Sequence, residues 1–416
     1  MTQALGKTAW IKAEATQAVL AALIAAGGPD CVRFVGGCVR NALIGRVIDD
    51  IDLATTLTPP EVVSALEQAG LKAIPTGIEH GTVTALSAGK TFEITTLRKD
   101  VETDGRHALV AFTKDWAEDA ARRDFTMNAL YADRDGVVFD PSGRGYDDAL
   151  AGRLVFVGDA DTRIAEDYLR ILRYFRFMAW YGKGQPDAAA LAACAAGRAR
   201  LADCSAERVN KEVLKLLGAD DPRPALRLMA ASGVLGQVLP QAQGLAALER
   251  LVAIEDEQLF ENDPLLRLAA LLPQTAEAGE AVGRSLRLSN AQRERLAAAL
   301  GTLPRLVSFM SPREARRALY ALGKPCFRDR VKLAWAHSDR PATTPQWRGL
   351  IALGEGWSVP TFPLTGKDVV AAGVPAGPLV GQALKEVEDW WIDSDFIMDG
   401  LSLIERLKAV VQGLAY

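Results

Sequence analysis

Residues 34–55 read FVGGCVRNALIGRVIDDIDLAT, and the N-terminal fold can be worked out from this segment. An apolar strand leads into Gly36 and Gly37, a helical stretch with Arg40 follows, and a second strand carries Asp50 and Asp52. Side chains two apart on a strand point to the same face. Both carboxylates are therefore expected beside a glycine turn that can wrap phosphates. Two carboxylates next to a phosphate cradle suit metal-assisted phosphoryl or nucleotidyl transfer.

The composition indicates a globular protein of several domains. A chain of 416 residues exceeds what one core usually holds, so two to four domains are expected. Alanine and leucine are abundant and β-branched runs become scarce after about residue 160, which favours helices in the C-terminal two thirds. The five cysteines lack CxxC spacing, which indicates a reduced, cytoplasmic protein without a cysteine metal site. No apolar run approaches the roughly 18 residues of a membrane span, and nothing implies a protein partner.

Charge is distributed unevenly along the chain. The net charge of −4 argues against a nucleic-acid partner, but residues 281–332 hold twelve Lys or Arg and only three acidic residues. Such a basic block is the expected footprint of a phosphate-backbone partner, although solvated helix faces would give the same pattern. The RNA-binding residues predicted in this block are Arg284, Arg287, Arg313, Arg316, Arg317 and Lys324.

The order of patterns along the chain predicts a mixed region followed by helices. Residues 8–26 read as one helix, and residues 80–98 read as a hairpin turned at Ala88-Gly89. Residues 99–115 are polar and poorly patterned, which predicts a mobile loop. Helical periodicity dominates from Ile164 onwards.

Further residues could serve the same chemistry. Glu93 is expected on a strand that pairs near the strand of the two aspartates, where it could be a third catalytic carboxylate or an exposed strand residue. Arg122, Arg123 and Asn128 suit contacts with triphosphate and ribose, because arginine donates in a planar, bidentate fork. The alternative is a helix with surface arginines.

The segment AEDYLRILRYFRF predicts a helix with a base-reading face. Asp167 and Arg170 are three apart and would share that face, continued by Arg173 and Arg176. A carboxylate beside a guanidinium can accept from the exocyclic amine and donate to the ring acceptors of cytosine or adenine. The alternative is a structural role, in which the two residues form an ion pair within the helix that stabilises it by a few tenths of a kcal/mol.

Taken together, these segments resemble the class II tRNA nucleotidyltransferase and poly(A) polymerase family, within the DNA polymerase beta nucleotidyltransferase superfamily. The resemblance covers residues 30–217, with a weaker similarity at 363–384. The segments that carry it are GGCVRNALIGRVIDDIDLATT, RRDFTMNAL, EDYLRILRYFRF, SAERVNKEVLKLL and PLTGKDVVAAGVPAGPLVGQAL. In two respects the chain departs from the family: Asn41 stands where an aspartate is usual, and three dispersed histidines leave no HD phosphohydrolase domain.

The resemblance implies a role for each matching residue. Asp50 and Asp52 would bind Mg²⁺ and hold the triphosphate, and Asp167 with Arg170 would select the base. Ser205, Glu207 and Arg208 would brace the helices of the neck. The residues expected to contact the nucleotide are Gly36, Gly37, Arg40, Arg122, Arg123, Asn128, Asp167, Arg170, Arg173 and Arg176.

The family also implies an α+β fold and a reaction. A polymerase-beta-like head with a mixed sheet would span residues 1–156, followed by a helical neck (157–217), an RNA-binding body (218–345) and a tail (346–416). The expected reaction adds CCA to the 3′ end of tRNA from CTP and ATP by a two-metal mechanism, with release of pyrophosphate. The alternatives are poly(A), CC-only or A-only addition, and an inactive RNA-binding relative, against which the intact Asp50, Asp52, Asp167 and Arg170 argue.

Overall fold

The computed structural model describes residues 3–6, 8–104, 107–338 and 340–413. Its chain divides into two compact units, Met1–Pro240 and Gln241–Tyr416. The first unit contains every described strand and the second contains only helices among its described residues. This agrees with the α+β class and the helical C-terminal part expected from the sequence.

An eight-stranded mixed sheet organises the first unit. The order of its strands is β1-β10-β9-β2-β3-β6-β5-β4, and only the β3–β6 pair is parallel. A separate antiparallel pair, β7–β8, follows β6 in the chain. The strands are β1 Gln3–Ala4, β2 Val32–Val35, β3 Ile51–Thr55, β4 Lys72–Gly77, β5 Thr82–Ser87, β6 Lys90–Thr96, β7 Arg98–Asp104, β8 His107–Phe112, β9 Tyr131–Ala132 and β10 Val137–Phe139.

Helices cover this sheet and continue beyond it. Phe34, Leu53, Phe92 and Ile94, on the three central strands, are fully buried. The helices of the first unit are α1 Ala9–Lys12, α2 Glu14–Gly27, α3 Gly37–Leu43, α4 Pro59–Gln68, α5 Trp116–Ala121, α6 Gly145–Ala151, α7 Ala160–Glu166, α8 Leu169–Tyr181, α9 Ala188–Gly197, α10 Ala206–Leu217, α11 Arg223–Ala231 and α12 Val234–Val238.

The connection from β2 through α3 to β3 follows the expectation from the sequence. Gly36 adopts φ +70°, a left-handed conformation that a side chain rarely tolerates, and α3 begins directly after it. The β5–β6 hairpin is also confirmed, because Ser87 pairs with Lys90 across Ala88 (φ 45°) and Gly89 (φ 75°). Positive φ at both central residues is the geometry that matches the twist of adjacent strands.

The second unit is built from helices with an apolar cluster near its C-terminal end. Trp391, Leu403 and Val387 are among the buried residues of that cluster. The longest helix contains a break at Gly323, where φ is 73° and ψ is 158°. The helices are α13 Ala246–Gln258, α14 Pro264–Ala270, α15 Ala276–Ser285, α16 Asn290–Leu300, α17 Pro312–His337, α18 Thr344–Gly356, α19 Gly366–Ala371, α20 Pro378–Asp393 and α21 Gly400–Gly413.

Local details differ from the sequence-based expectations in two places. The single helix expected at 8–26 is two helices, because Ala13 adopts an extended conformation between α1 and α2. Most of the segment 99–115 is not a loop, because residues 99–104 pair with residues 107–111 in β7 and β8, and Asp115 caps α5. Residues 105 and 106 lie outside the described part of the chain. Within the described part of the chain, no helix is long and apolar enough to cross a membrane.

The head, neck and first helices of the expected body lie in one unit. Helix α8 packs against α10 and α11, and α12 packs against residues 198–203. The compact units therefore divide at residue 240, whereas the sequence suggested a body that begins at 218. The four segments inferred from the sequence remain a prediction about function.

Candidate active site

Three carboxylates meet where β3 and β6 run side by side. Asp50 immediately precedes β3, and Asp52 lies directly opposite Glu93 in the parallel register. Asp50 and Glu93 are exposed and Asp52 is half-buried. Burial raises the pKa of Asp52 to about 6, and the charges of Glu93 and Asp50 add to that rise, while Arg123 opposes it. The sequence-based pairing of the Glu93 strand with the aspartate strand is therefore confirmed.

The glycine turn lies next to these carboxylates. The thiol of Cys38, on α3, donates to the backbone oxygen of Asp52 at 3.6 Å. A Cβ atom built on Gly36 would lie 3.6 Å from the backbone oxygen of Asn128 and 3.7 Å from a guanidinium nitrogen of Arg123. The turn therefore lies beside Arg123 and close to the backbone of Asp52, and the charge of Arg123 acts on the Asp52 carboxylate.

The two adjacent arginines have different surroundings. Arg123 Nη2 donates to Asp119 at 2.9 Å and Arg123 Nε donates to the Tyr131 hydroxyl at 3.2 Å, while Nη1 is the nitrogen near Gly36. Arg122 donates to Asp119 and to the backbone oxygen of Arg98. Arg123 is therefore the one directed toward the carboxylate site, whereas Arg122 braces the start of β7.

Asp119 anchors both arginines from a buried position. Its side chain is 1% exposed. Burial would raise its pKa, but Arg123, Arg122 and the hydroxyl of Tyr131 outweigh that effect and lower it to about 2. Asp119 is not among the residues predicted from the sequence, although its spacing of three and four residues from the arginines is a usable signal.

A continuous polar network runs from the glycine turn to the helices that follow the head. Arg40, 5% exposed, donates to Asn128 and to the Tyr181 hydroxyl, and the amide of Asn128 donates to Asp124 at 3.0 Å. Arg173 Nε donates to Asp124 at 2.8 Å from helix α8. Arg40, Asn128 and Arg173, each predicted as a site residue from the sequence, are therefore linked through the buried carboxylate of Asp124, which was not predicted.

The far end of this network reaches α10. Arg176 Nε lies 3.1 Å from Glu212, and Arg173 lies 4.0 Å from the same carboxylate. Glu212 is 7% exposed, so its charge is shared between two cations rather than solvated. Arg176 also stacks over the ring of Phe177 at 4.6 Å.

Asn41 fits its position as an amide. Its oxygen accepts from Arg40 Nη2 at 2.9 Å, and its nitrogen donates to the backbone oxygen of Val47 at 2.8 Å. An aspartate here could accept from Arg40 but could not donate to Val47. The residue that departs from the family pattern therefore supports the segment leading into β3.

Asp167 and Arg170 do not share a helix face, which corrects the sequence-based expectation. Helix α7 ends at Glu166 and α8 begins at Leu169, so Asp167 lies in the break, with φ −153° and ψ 102°. Asp167 accepts from Arg208 at 2.7 Å. Arg170 donates to Glu166 and, at 3.1 Å, to the backbone oxygen of Arg122. The two residues remain neighbours in the chain, but each has a different partner.

The carboxylates suit a hard divalent cation supplied with its substrate. No group of three or more histidine, cysteine, aspartate or glutamate side chains forms a ready-made metal site among the described residues. Mg²⁺ is commonly bound by one or two carboxylates, with substrate phosphates and waters completing its shell. Asp50 and Asp52 provide this donor set, and a bound cation would offset the burial and the neighbouring negative charges that raise the pKa of Asp52.

The predicted RNA-binding residues have mixed surroundings. Arg284 and Arg287 are exposed. Arg316 donates to Asp395 at 2.9 Å, and Arg317 donates to Asp393 at 2.7 Å. The backbone oxygen of Asp393 accepts from Arg313, and Lys324 donates to the backbone oxygen of Glu355 at 3.0 Å. The α17 cations therefore hold the following helices, and their contact with RNA stays a prediction.

Comparison with known proteins identifies relatives along most of the chain. The profile described as "Poly A polymerase head domain" matches residues 32–155, and "Probable RNA and SrmB- binding site of polymerase A" matches residues 185–245. The mitochondrial CCA tRNA nucleotidyltransferase 1 of Danio rerio is 35% identical over 91% of this chain and 87% of its own length. The CCA-adding enzyme of Latilactobacillus sakei is 31% identical over 85% of this chain and 88% of its own.

A solved structure extends this likeness to the fold. The Bacillus stearothermophilus CCA-adding enzyme in complex with CTP superimposes with a TM-score of 0.77 and 26% identity. The match covers 96% of this chain and 98% of that one. The likeness therefore includes the second unit as well as the head.

Proposed function

The chain belongs to the family of CCA-adding tRNA nucleotidyltransferases and poly(A) polymerases, and we propose that it adds C, C and A in turn to the 3′ end of tRNA. CTP and ATP are its nucleotide substrates, and pyrophosphate leaves at each step. The observation that carries this proposal is the carboxylate site at the β3–β6 pair beside the glycine turn and Arg123. The near full-length likeness to CCA-adding enzymes supports tRNA as the acceptor.

The residues of the site divide the work of the transfer. Asp50 and Asp52 would hold Mg²⁺, which when bound lowers the pKa of the attacking hydroxyl and neutralises charge on the leaving pyrophosphate. Gly36 and Gly37 leave room for the triphosphate, and Gly37, the first residue of α3, can donate its backbone N–H group to it. Arg123, held by Asp119, presents a fixed cation to the same phosphates. Glu93 supplies a third negative charge and is the candidate to orient the attacking 3′ hydroxyl.

Base choice is assigned to the start of α8. Asp167 lies at the break before this helix and Arg170 in its first turn. We propose that these two residues exchange some of their present partners for a base edge, without a nucleic-acid template. A carboxylate accepts from the exocyclic amine that cytosine and adenine share, and a guanidinium donates to their ring acceptors. Later on α8, Arg173 is paired with Asp124 and Arg176 with Glu212, and these ion pairs hold the helix in place.

The same residues would serve poly(A), CC-only or A-only addition, so the reaction products must distinguish these activities from CCA addition. Purified protein is incubated with labelled CTP or ATP and tRNA that ends at the discriminator base, in C, or in CC. CCA addition predicts incorporation of two C on the first RNA, one C on the second and one A on the third. Incorporation of many A residues on all three would identify a poly(A) polymerase, and the absence of any incorporation would contradict the enzyme assignment.

We place the protein in the cytoplasm. None of the five cysteines, all within the described part of the chain, forms a disulfide, and three of them are buried, as is usual in a reducing compartment. Fractionation of cells that carry a tagged full-length chain tests this assignment, which enrichment in an organelle would contradict.

A further inference from the structure

The loop between α16 and α17, residues 301–311, is fixed in place while it exposes large apolar side chains. Arg330, 5% exposed, donates to the backbone oxygens of Leu303 and Pro304 at 2.7 and 2.8 Å. Leu303 and Phe309 are nonetheless 82% and 79% exposed. Burial of such side chains is favourable, so an anchored loop that keeps them in water is typical of a binding surface.

This loop forms one wall of a groove of about 830 Å³ in the second unit. The C-terminal end of α17 and the start of α18 form the other wall, with His337, Arg340 and Trp347. The described lining residues include three arginines and one histidine and no aspartate or glutamate. The aromatic rings of Phe309 and Trp347, the arginine guanidinium groups and the lack of acidic groups among the described lining residues together match an anionic, aromatic ligand.

Two of the three arginines can meet such a ligand. Arg330 uses its guanidinium to anchor the loop. Arg305 and Arg340 are exposed, and neither has an ion-pair partner in the described part of the chain. They contrast with Arg316 and Arg317 of α17, whose charges are taken up by aspartates of the tail.

We propose that this groove binds RNA, with Phe309 stacked on an unpaired base and Arg305 and Arg340 in contact with the flanking phosphates. The inference rests on the proposed function, which makes a folded RNA with unpaired loops the substrate. An aromatic ring that accepts a splayed base, next to arginines that follow the backbone, is the usual way in which proteins hold single-stranded segments of RNA. The groove belongs to the second unit, whereas the carboxylates of the candidate active site belong to the first.

The stacking role is tested with substitutions that separate ring, size and polarity. Phe309→Ala and Phe309→Leu remove the ring, and Phe309→Tyr keeps it on the same exposed site. Affinity is measured by fluorescence anisotropy for tRNA without CCA and for a fully paired RNA duplex of equal length. We expect a loss of about tenfold for tRNA with Ala and Leu, affinity near that of the wild type with Tyr, and no change for the duplex. Wild-type affinity of Phe309→Leu for tRNA would overturn the proposal.

The phosphate contacts are tested through the salt dependence of binding. The double variant Arg305→Glu/Arg340→Glu is compared with Lys385→Glu/Lys408→Glu, which reverses two exposed charges elsewhere in the same unit. Affinity falls as salt rises, so the slope of log affinity against log salt is negative. We expect its magnitude to decrease by roughly one to two in the groove variant and to be unchanged in the control. Equal slopes for the two variants would overturn the proposal.

These measurements are independent of the proposed activity. They record tRNA binding, whereas incorporation of CTP and ATP by the wild-type chain tests the enzyme assignment. A wild type that incorporates nucleotides while the groove variants bind tRNA normally would refute the groove alone. Circular dichroism and melting temperatures confirm that each variant is folded.

Discussion

The pKa of Asp52 depends on its burial and on the charge of Glu93, which lies opposite it on the adjacent strand. Asp52 is half-buried, while Asp50 and Glu93 are exposed, and its pKa is raised to about 6 by burial first and by the charges of those two carboxylates second. A group of this kind is unfavourable unless a cation is shared among its members. The arrangement is therefore more readily explained by metal-assisted chemistry than by stability.

We expect Asp50→Asn and Asp52→Asn each to reduce nucleotide addition to below a few per cent of wild type. Asparagine keeps the size of the side chain and removes the charge that holds Mg²⁺, so folding and tRNA affinity are expected to change little. Asp49→Asn, at the exposed neighbouring position, is the matched control and retains activity. Substantial CTP incorporation by either of the first two variants would refute the metal-site assignment.

Selectivity for the base is expected to depend on Asp167 and Arg170 separately, because each has its own partner. Asp167→Asn and Arg170→Gln are predicted to reduce discrimination against UTP and GTP more than they slow addition of CTP. Arg208→Gln removes only the guanidinium group that donates to Asp167 and is expected to reduce this discrimination less. Values of kcat/KM for all four nucleotides decide the matter. A uniform decrease with selectivity retained would leave the pair a structural role.

Among the secondary-structure elements, the β7–β8 pair follows directly from β6, which carries Glu93. One pocket must accept first C and then A, so some element must change position between additions. We predict that replacement of residues 103–108 by a two-glycine turn impairs A addition more than C addition. The measurement compares ATP incorporation on tRNA ending in CC with CTP incorporation on tRNA ending at the discriminator base. Equal losses would mean that the pair only supports folding.

Helix α17 and the tail are joined by ion pairs that allow a charge-swap test. Arg316 and Arg317 face Asp395 and Asp393, and Tyr320 donates to Glu388 one turn further on. If these arginines mainly hold the tail, Arg316→Asp lowers the melting temperature and Arg316→Asp/Asp395→Arg restores most of it. If they grip RNA, the single variant raises the KM for tRNA and the swap does not restore it. Surface pairs contribute up to about 1 kcal/mol, so a shift of a few degrees is expected.

Across the first unit, buried carboxylates join the head to the helices that follow. Asp124, 8% exposed, is the link: burial would raise its pKa, but Arg173 and hydrogen bonds from Asn128 and Arg173 lower it to about 2. A carboxyl group whose pKa is lower in the folded protein than its ordinary value near 3.8 stabilises the fold above that value. Its contribution is lost as the pH falls from about 4 towards about 2.

We therefore expect Asp124→Asn to lower the free energy of unfolding by about 2 kcal/mol at pH 7. The difference from wild type should shrink as the pH falls towards 2, because the wild-type carboxyl group is then protonated. Asp135→Asn, at an exposed position of the same unit, serves as the control. Urea unfolding at several pH values measures the effect. A difference that stays constant with pH would argue against the ion pair as its source.

Local spacing was enough to predict the features of this chain that depend only on neighbouring residues. The Gly36-Gly37 turn, the aspartates at the start of β3 and the hairpin turn at Ala88-Gly89 follow from backbone preferences within a few residues. The pairing of β3 with β6 was also predicted, although α4, β4 and β5 lie between the two strands in the chain. These features specify the head and its chemistry.

The partners of the charged groups could be found only in the folded chain. Arg173 meets Asp124 across 49 residues and Arg316 meets Asp395 across 79, and periodicity carries no information about such distances. The break at Asp167 and the pairing of β7 with β8 were likewise hidden, because packing and long-range hydrogen bonds override weak local preferences. For the same physical reason, a basic stretch of sequence could not reveal which of its arginines hold the tail and which line the groove.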